Sequence, residues 1–535
     1  MADKKKISNI WMLTREYNEL AGAGGVKDVA CQMADALVRT GCRVSVVLPL
    51  YGFMDAEKLG FTPTDISFTV AMNYAAEPRR EEVRIFSQKV KITPAAAKKG
   101  GSLEIYLIEA NRYLEKQGVY TYTAAEEAQN QLHRQGNGHY DYFAMNVLMQ
   151  KAALELIMHL QQKPQIIDCH DGHTAILPAM IREISDYRDY FAATACVVTI
   201  HNAGLGYHQE VDDLAFAEAI TGLPQQVIAD NLLDGKFDPF LAASAYATMN
   251  TVSENYAREL QETDDDQLTG WLGHRLLARG VQLKGVTNGI NPANFDPAKP
   301  KKLGLAAAFA PGKGQLAGKK KCRQALTRSL AANNFSHILQ NGSLAERPDE
   351  PLFTFVGRFS SQKGVDILIG ALKTLLPSDQ NFQVLIMGSG SKEIEQNLIN
   401  MAEANQGRVC LLRGFDPQLA NQVFAAGDFF LIPSRYEPCG LTDYIAQLFG
   451  NLPVVHHIGG LVKVVDQITG FAYHVHEPAA LIDAMRGAME LFRHQPEQII
   501  AMQKAAIKNI EDNYTWDKVI SRYLSLYQEA LVQVQ

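Results

Sequence analysis

Three short stretches of this sequence combine charge, glycine and the end of an apolar run in a way suited to a phosphorylated sugar. In FVGRFSSQKGVDIL, Arg358 follows the apolar run Phe353–Gly357, and Lys363 comes five residues later where a helical pattern begins. Two cations beside helix N–H groups form a site for a diphosphate, through charge and through directed hydrogen bonds. In SRYEPCGLTDYIAQLFG, Glu437 stands between a buried apolar run and a helix whose start carries the N–H groups of Gly440, Leu441 and Thr442. A carboxylate there can accept two adjacent sugar hydroxyls, while N–H groups take phosphate oxygens. The third stretch is GAGG, Gly22–Gly25, after the first apolar run, where Gly24 and Gly25 let backbone approach an anion. It is not a dinucleotide fingerprint. Lys27 occupies the place of the third glycine, and the second strand ends in LPLYG with no acid for a ribose hydroxyl.

Histidines mark two further strand ends. IDCHDGHTAILP places His170, Asp171, Gly172 and His173 together, and TIHNAGLGYHQE places His201 and Asn202. No third ligand follows the two histidines at a useful spacing, so no metal site is expected. Asp171 could act as a helix cap or face a ligand. An imidazole at position 201 can donate to a sugar hydroxyl or to a developing charge.

The elements that must position these residues follow from periodicity. Strand candidates fall at 8–13, 43–50, 103–109, 165–169, 196–200 and 247–253, and then at 352–357, 382–388, 409–414, 428–434 and 452–457. Many are apolar without alternation, which marks strands buried on both faces of a parallel sheet. Helical patterns such as 26–39, 146–160 and 364–376 separate them, so the fold class is α/β with doubly wound βαβ units. A stretch rich in Pro, Gly and Lys between Asn288 and Pro351 divides the chain. We expect two Rossmann-like domains, 1–285 and 286–512, facing across a cleft. A last helix within 513–535 should cross back to the N-terminal domain.

Composition narrows the class. A net charge of −7 excludes nucleic acid or an anionic membrane held by bulk electrostatics. Seven cysteines, scattered and odd in number, read as reduced thiols in the cytoplasm. The start, MADKKKISNIWML, has a basic head but only a short apolar run broken by Asn9, so it reads as a first strand and neither a signal peptide nor an anchor. The number of subunits is left open.

Taken together, these stretches resemble bacterial glycogen synthases and plant starch synthases, retaining glucosyltransferases of the two-Rossmann GT-B architecture. The resemblance runs along nearly the whole chain, through GAGGVKDV, HDGHTAILP, TIHN, TVSENYAREL, LKGVTNGIN, FVGRFSSQKGVDIL, PSRYEPCGLT, GGLVKVV and YTWDKVISRYLSLY. It implies transfer of glucose from ADP-glucose to the 4-hydroxyl at the non-reducing end of an α-1,4-glucan, with configuration retained and no metal or organic cofactor. By motif position, Arg358 and Lys363 would neutralise the donor diphosphate, and Glu437 would hold glucose hydroxyls. Gly440, Leu441 and Thr442 would offer N–H groups, and Phe415 would stack on the base. His201 would sit by the transferred glucose, Asp171 near the acceptor, and Asn288 at a hinge facing the glucose. Turnover would include domain closure across Asn288–Asn291.

Several positions depart from the family pattern. Gly22 stands where the first loop usually has lysine, and Lys27 could reach back to replace it. Gly172 replaces a tryptophan, Asp443 a glutamine, and Val462-Lys463-Val464-Val465 the usual x-D-T-V. These changes suggest an altered acceptor side and first phosphate loop, with the C-terminal donor core intact. They also raise two alternatives: a retaining GT-B transferase with another donor or a small acceptor, and a weakly active homologue that binds sugar nucleotide or glucan.

Overall fold

Runs such as NIWML, ACVVTI and FFLI bury every residue, so both faces of their sheets must be covered. The computed structural model describes residues 6–74, 77–90, 100–333, 335 and 337–534. Most of the basic head, residues 1–5, thus lies outside the described residues. The chain forms two α/β units, one from residues 1–289 with 516–535 and one from 290–515. It passes between them at Gly289–Ile290 and again at Thr515–Trp516.

The sheet of the first unit runs in the order Lys284–Gly285, Thr248–Thr251, Ala195–Ile200, Ile166–His170, Asn9–Leu13, Arg43–Pro49, Ser102–Glu109, Arg80–Val90, Thr62–Ala71. All pairs are parallel up to Ser102–Glu109, and the last two strands join antiparallel. Strand order reverses at Asn9–Leu13, which lies between Arg43–Pro49 and Ile166–His170. Loops leaving neighbouring strands diverge at such a point and leave a crevice for a ligand.

The second sheet runs Leu339–Gly342, Val409–Arg413, Gln383–Gly388, Leu352–Val356, Phe429–Ile432, Leu452–His456, Phe471–Tyr473. Only Leu339–Gly342, at an edge, is antiparallel among the described strands. Its order reverses between Leu352–Val356 and Phe429–Ile432. Apolar clusters fill both sides of this sheet, one built around Phe353, Leu372, Phe429 and Met485, the other around Leu385, Leu412, Phe424 and Phe449.

The strands absent from the sequence reading are short ones or lie at or next to a sheet edge. Thr62–Ala71 alternates between exposed and part-buried residues, and Arg80–Val90 carries five charges among its eleven residues. Neither has the continuous apolar run that marks the central strands. The last helix, Trp516–Gln533, belongs to the first unit. Its Trp516 is buried and donates from Nε1 to Gln32 Oε1 at 3.1 Å, while Tyr527 donates to Asp168 Oδ2 at 2.8 Å. All seven cysteines are free thiols. Among the described residues, no helix is long and apolar enough to cross a membrane.

Because Trp516 fills a sealed space against Gly289, its removal leaves a cavity. Trp516→Ala should destabilise the first unit by about 3–5 kcal/mol. An unchanged denaturation midpoint for that unit's transition would contradict this packing role.

Candidate functional site

In the second unit, the two loops at the strand-order reversal carry the charged residues singled out from sequence. Lys363 lies just before helix Val365–Ser378, and Glu437 follows strand Phe429–Ile432. Their side chains meet, with Nζ 2.6 Å from Oε2, and the same oxygen accepts from Ser434 Oγ at 2.9 Å. Glu437 is only 8% exposed. Burial alone would raise its pKa, but the Lys363 charge and hydrogen bond, the Ser434 hydroxyl and the nearby Lys463 together hold it below the usual range. Glu437 is therefore a carboxylate at neutral pH. Arg358, five residues before Lys363, is exposed, with Nη2 3.3 Å from Gln362 Oε1, and the Gln362 carbonyl accepts from Arg435 N at 2.9 Å. That hydrogen bond ties the Arg358 loop to the Glu437 loop. Phe415, after strand Val409–Arg413, is 65% exposed, which leaves a ring face for stacking.

Asp443 and Lys463 require a correction. The sequence reading assigns the departures to the acceptor side and the first loop. Both residues instead lie in the donor-type unit, directly against Gly440: a Cβ at 440 would fall 3.0 Å from Asp443 Oδ1 and 3.2 Å from Lys463 Nζ. The two side chains are 3.2 Å apart and buried. Burial pushes the Asp443 carboxyl up to about 6, a rise limited by Lys463 and reinforced by Glu437.

The first unit gathers a second set of groups at its own strand-order reversal. Asp171 follows strand Ile166–His170 in a left-handed conformation (φ 61°), and its Oδ1 accepts from the N–H of His201 at 2.7 Å and of Asn202 at 3.3 Å. Asp171 thus joins the two strand ends rather than capping its own helix. His201 Nε2 lies 2.8 Å from His170 Nδ1 with the rings stacked. Burial, then the neighbouring His170 and His173, hold His201 neutral by pushing its pKa well down. Asp168 Oδ2 lies 3.4 Å from His170 Nε2, off the hydrogen-bonding direction. Between His170 Nδ1 and His201 Nε2 one nitrogen donates and the other accepts, according to the tautomer. Asn288 is buried, with its Oδ1 accepting from Tyr523 of the last helix at 3.3 Å.

The glycine loop differs from its sequence reading. Glu16 Oε2 accepts from the N–H groups of Ala23 at 2.6 Å and Gly24 at 2.8 Å, so an internal carboxylate already holds the Gly24 N–H offered to a ligand. Gly25 caps helix Val26–Arg39 through its backbone. The Lys27 stem lies where a side chain at 22 would begin, since a Cβ on Gly22 would fall 2.2 Å from Lys27 Cδ. Its Nζ is 3.1 Å from Asp28 Oδ2. Gly172 is similarly covered, since a Cβ there would fall 2.2 Å from the carbonyl oxygen of His208. Backbone fills the space a tryptophan would need. Sequence reasoning missed Glu16 and its neighbour Arg15, which bonds Tyr51 Oη at 3.0 Å and Asn146 Oδ1 at 3.1 Å. Two adjacent charges straight after a buried strand, TRE, were the available signal.

Among the described residues, no three His, Cys, Asp or Glu side chains gather as a metal site. Two α/β units with charged groups at both strand-order reversals define the GT-B class of glycosyltransferases. A family model described as starch synthase catalytic domain matches residues 9–274, and one described as glycosyl transferases group 1 matches residues 339–506. Glycogen synthase of Anaeromyxobacter dehalogenans is 30% identical over 530 residues, spanning 97% of this chain and 99% of that protein. Glycogen synthase 1 of Geobacter metallireducens is 29% identical over 98% of this chain and 96% of its own length. The catalytic domain of starch synthase IV from Arabidopsis thaliana, solved with ADP and acarbose, superposes with a TM-score of 0.80 at 23% identity, covering 98% of this chain and 100% of that one. The chain belongs to the glycogen synthase and starch synthase family.

Asp171 generates a pH prediction. Burial pushes its carboxyl up to about 7, against the backbone N–H bonds and His170, with Glu16 adding to the rise. The folded protein therefore binds this proton more tightly than the unfolded chain, whose Asp titrates near 3.8. Its contribution to stability is greatest at acid pH and is lost as pH rises toward 7. Asp171→Asn should gain in melting temperature relative to the unaltered protein between about pH 5 and pH 8. Parallel melting curves across that range would show that Asp171 titrates normally.

Proposed function

We propose that this protein transfers glucose from ADP-glucose to the 4-hydroxyl at the non-reducing end of an α-1,4-glucan, with retention of configuration. The observation that carries the reading is the Lys363–Glu437 pair at the strand-order reversal, with Arg358 on the adjoining loop. Breaking a glycosyl–phosphate bond builds negative charge on the leaving diphosphate and positive charge on the sugar. Lys363 and Arg358 answer the first, and the Glu437 carboxylate answers the second while accepting glucose hydroxyls. These two cations can neutralise the diphosphate without a metal ion or cofactor. Phe415 stacks on the adenine, and the Gly440, Leu441 and Thr442 turn supplies N–H donors.

In the first unit, His201 offers a ring nitrogen to a glucose hydroxyl, and Asp171 holds the His201 and Asn202 backbone on the acceptor side. Asn288 faces the glucose beside the chain crossing. Gly25 and Lys27 make the first loop's contribution, with Lys27 in the role of the usual lysine. The relatives named glycogen synthases support a glucan acceptor and a nucleotide-sugar donor. Seven free thiols fit a cytoplasmic setting. One observation favours a different acceptor as the second reading: backbone at His208 closes over Gly172, where the family has a tryptophan.

Purified protein given ADP-glucose should release ADP only when glycogen is present. Arg358→Ala and Lys363→Ala should each lower that rate by about a hundredfold or more, as expected for removing one charge-stabilising donor. Release independent of glycogen would transfer the assignment to another acceptor. Lys27→Ala should lower kcat/KM for ADP-glucose by about tenfold, the scale of one hydrogen bond to a charged group. Unchanged kinetics would remove Lys27 from the site.

A further inference from the structure

Asp443 and Lys463 are both departures from the family pattern, and the fold makes them partners. Lys463 ends the short turn Gly459–Lys463, and Asp443 stands in the first turn of helix Thr442–Leu448. Lys463 Nζ is 3.2 Å from Asp443 Oδ1 and lies over the Tyr444 ring at 4.5 Å. It donates to the carbonyl oxygens of Cys439, of Gly440 at 2.9 Å and of Gly460 at 3.0 Å. The two segments are in backbone contact throughout. Gly460 N donates to Glu437 O at 2.9 Å, and a Cβ on Gly459 or Gly460 would fall 2.0 Å or 2.1 Å from the carbonyl oxygens of Glu437 and Cys439.

Asp443 Oδ1 has no hydrogen-bond donor in good alignment, although it is fully buried. The Lys463 charge is its largest compensation, and the Tyr444 backbone N–H adds a smaller one. A buried ammonium with three carbonyls and a carboxylate is satisfied; either charge without the other is costly.

The arrangement has a directional consequence. In a trans peptide, C=O and N–H point opposite ways. An ammonium that gathers the carbonyls of Cys439 and Gly440 therefore turns the N–H groups of Gly440 and Leu441 away from itself. Neither N–H has a partner among the described residues. Glu437, three residues before Gly440, is held to the Gly459–Lys463 turn through its own carbonyl.

We propose that Lys463, kept in place by Asp443, is a positioning residue for the donor. It aims the N–H groups of Gly440 and Leu441 at the diphosphate and sets the turn that carries Glu437. This inference rests on the donor reading given above and assigns a shared role to two departures that sequence alone leaves unconnected.

The test is ADP binding by calorimetry, with melting temperature and steady-state kinetics, on four proteins: unaltered, Lys463→Met, Asp443→Leu/Lys463→Met and Asp443→Asn. Lys463→Met strands a buried carboxylate, so its melting temperature should fall and its ADP affinity should weaken by about tenfold. The double variant removes both charges and should regain most of the melting temperature, because an apolar pair often replaces a buried ion pair without loss. Its ADP affinity should stay weak, and its KM for ADP-glucose should rise while KM for glycogen is unchanged. Asp443→Asn, which leaves the lysine on its carbonyls, should bind ADP more tightly than either lysine variant. Recovery of both stability and ADP affinity in the double variant would overturn the proposal by making the pair purely structural. If Lys463→Met does not fold, the double variant alone decides. Absence of ADP binding by the unaltered protein would overturn the donor reading itself, a result distinct from equal binding by all four proteins.

Discussion

Everything chemical in this protein depends on where parallel strand order reverses. In each sheet the strands run the same way through the centre, so their carboxyl ends lie along one edge. At the reversal, the chain leaves neighbouring strands toward opposite faces, and the loops there are free of the crossover helices that cover the rest. In the second unit that geometry delivers Arg358, Lys363, Ser434 and Glu437 from two segments about 75 residues apart in sequence. In the first unit it delivers Glu16 and Asp171 in the same way, and Asp171 holds His201 from the next strand.

Such edges gather charge where water is scarce, and the structure answers each charge locally. The Lys363 ammonium is neutralised by Glu437, and the Glu16 carboxylate by two backbone N–H groups and the Tyr120 hydroxyl. Buried lysines recur as ties between elements. Lys151 donates to the carbonyls of Ala71 and Ile220, and Lys319 to those of Phe424, Ala425 and Phe449. Lys463 follows the same pattern but adds a carboxylate partner. Where only carbonyls answer, desolvation pushes the lysine pKa down to about 8, as at Lys151 and Lys319.

The departures from the family pattern do not act singly. Gly22 meets the Lys27 stem, Gly172 meets the His208 backbone, and Asp443 meets Lys463. Contacts of this kind make single substitutions non-additive, because restoring one family residue strands its partner. A lysine at 22 would collide with Lys27, and a tryptophan at 172 with main chain. Each altered position is thus best understood together with the residue that occupies or neutralises its space.

The central strands were legible in the sequence because a strand covered on both faces must be apolar throughout, and turn residues and β-branched side chains separate such runs from short buried helices. Residues 9–13, 195–200, 352–356 and 429–432 show it plainly. The half-exposed pair 62–71 and 80–90 did not, since its exposed face is charged. Charged residues next to glycines at strand ends, such as Arg358, Lys363 and Glu437, were also readable, because covalent neighbours report which edge they occupy. What the chain's order cannot convey is which distant side chains share one buried space. That Glu16 takes the Gly24 N–H, that His170 pairs with His201, and that Lys463 lies under Gly440 were decided only by tertiary packing. Desolvation and hydrogen-bond direction act through a few ångströms of space, not through sequence separation, so these pairings appear only when the strands have been laid side by side.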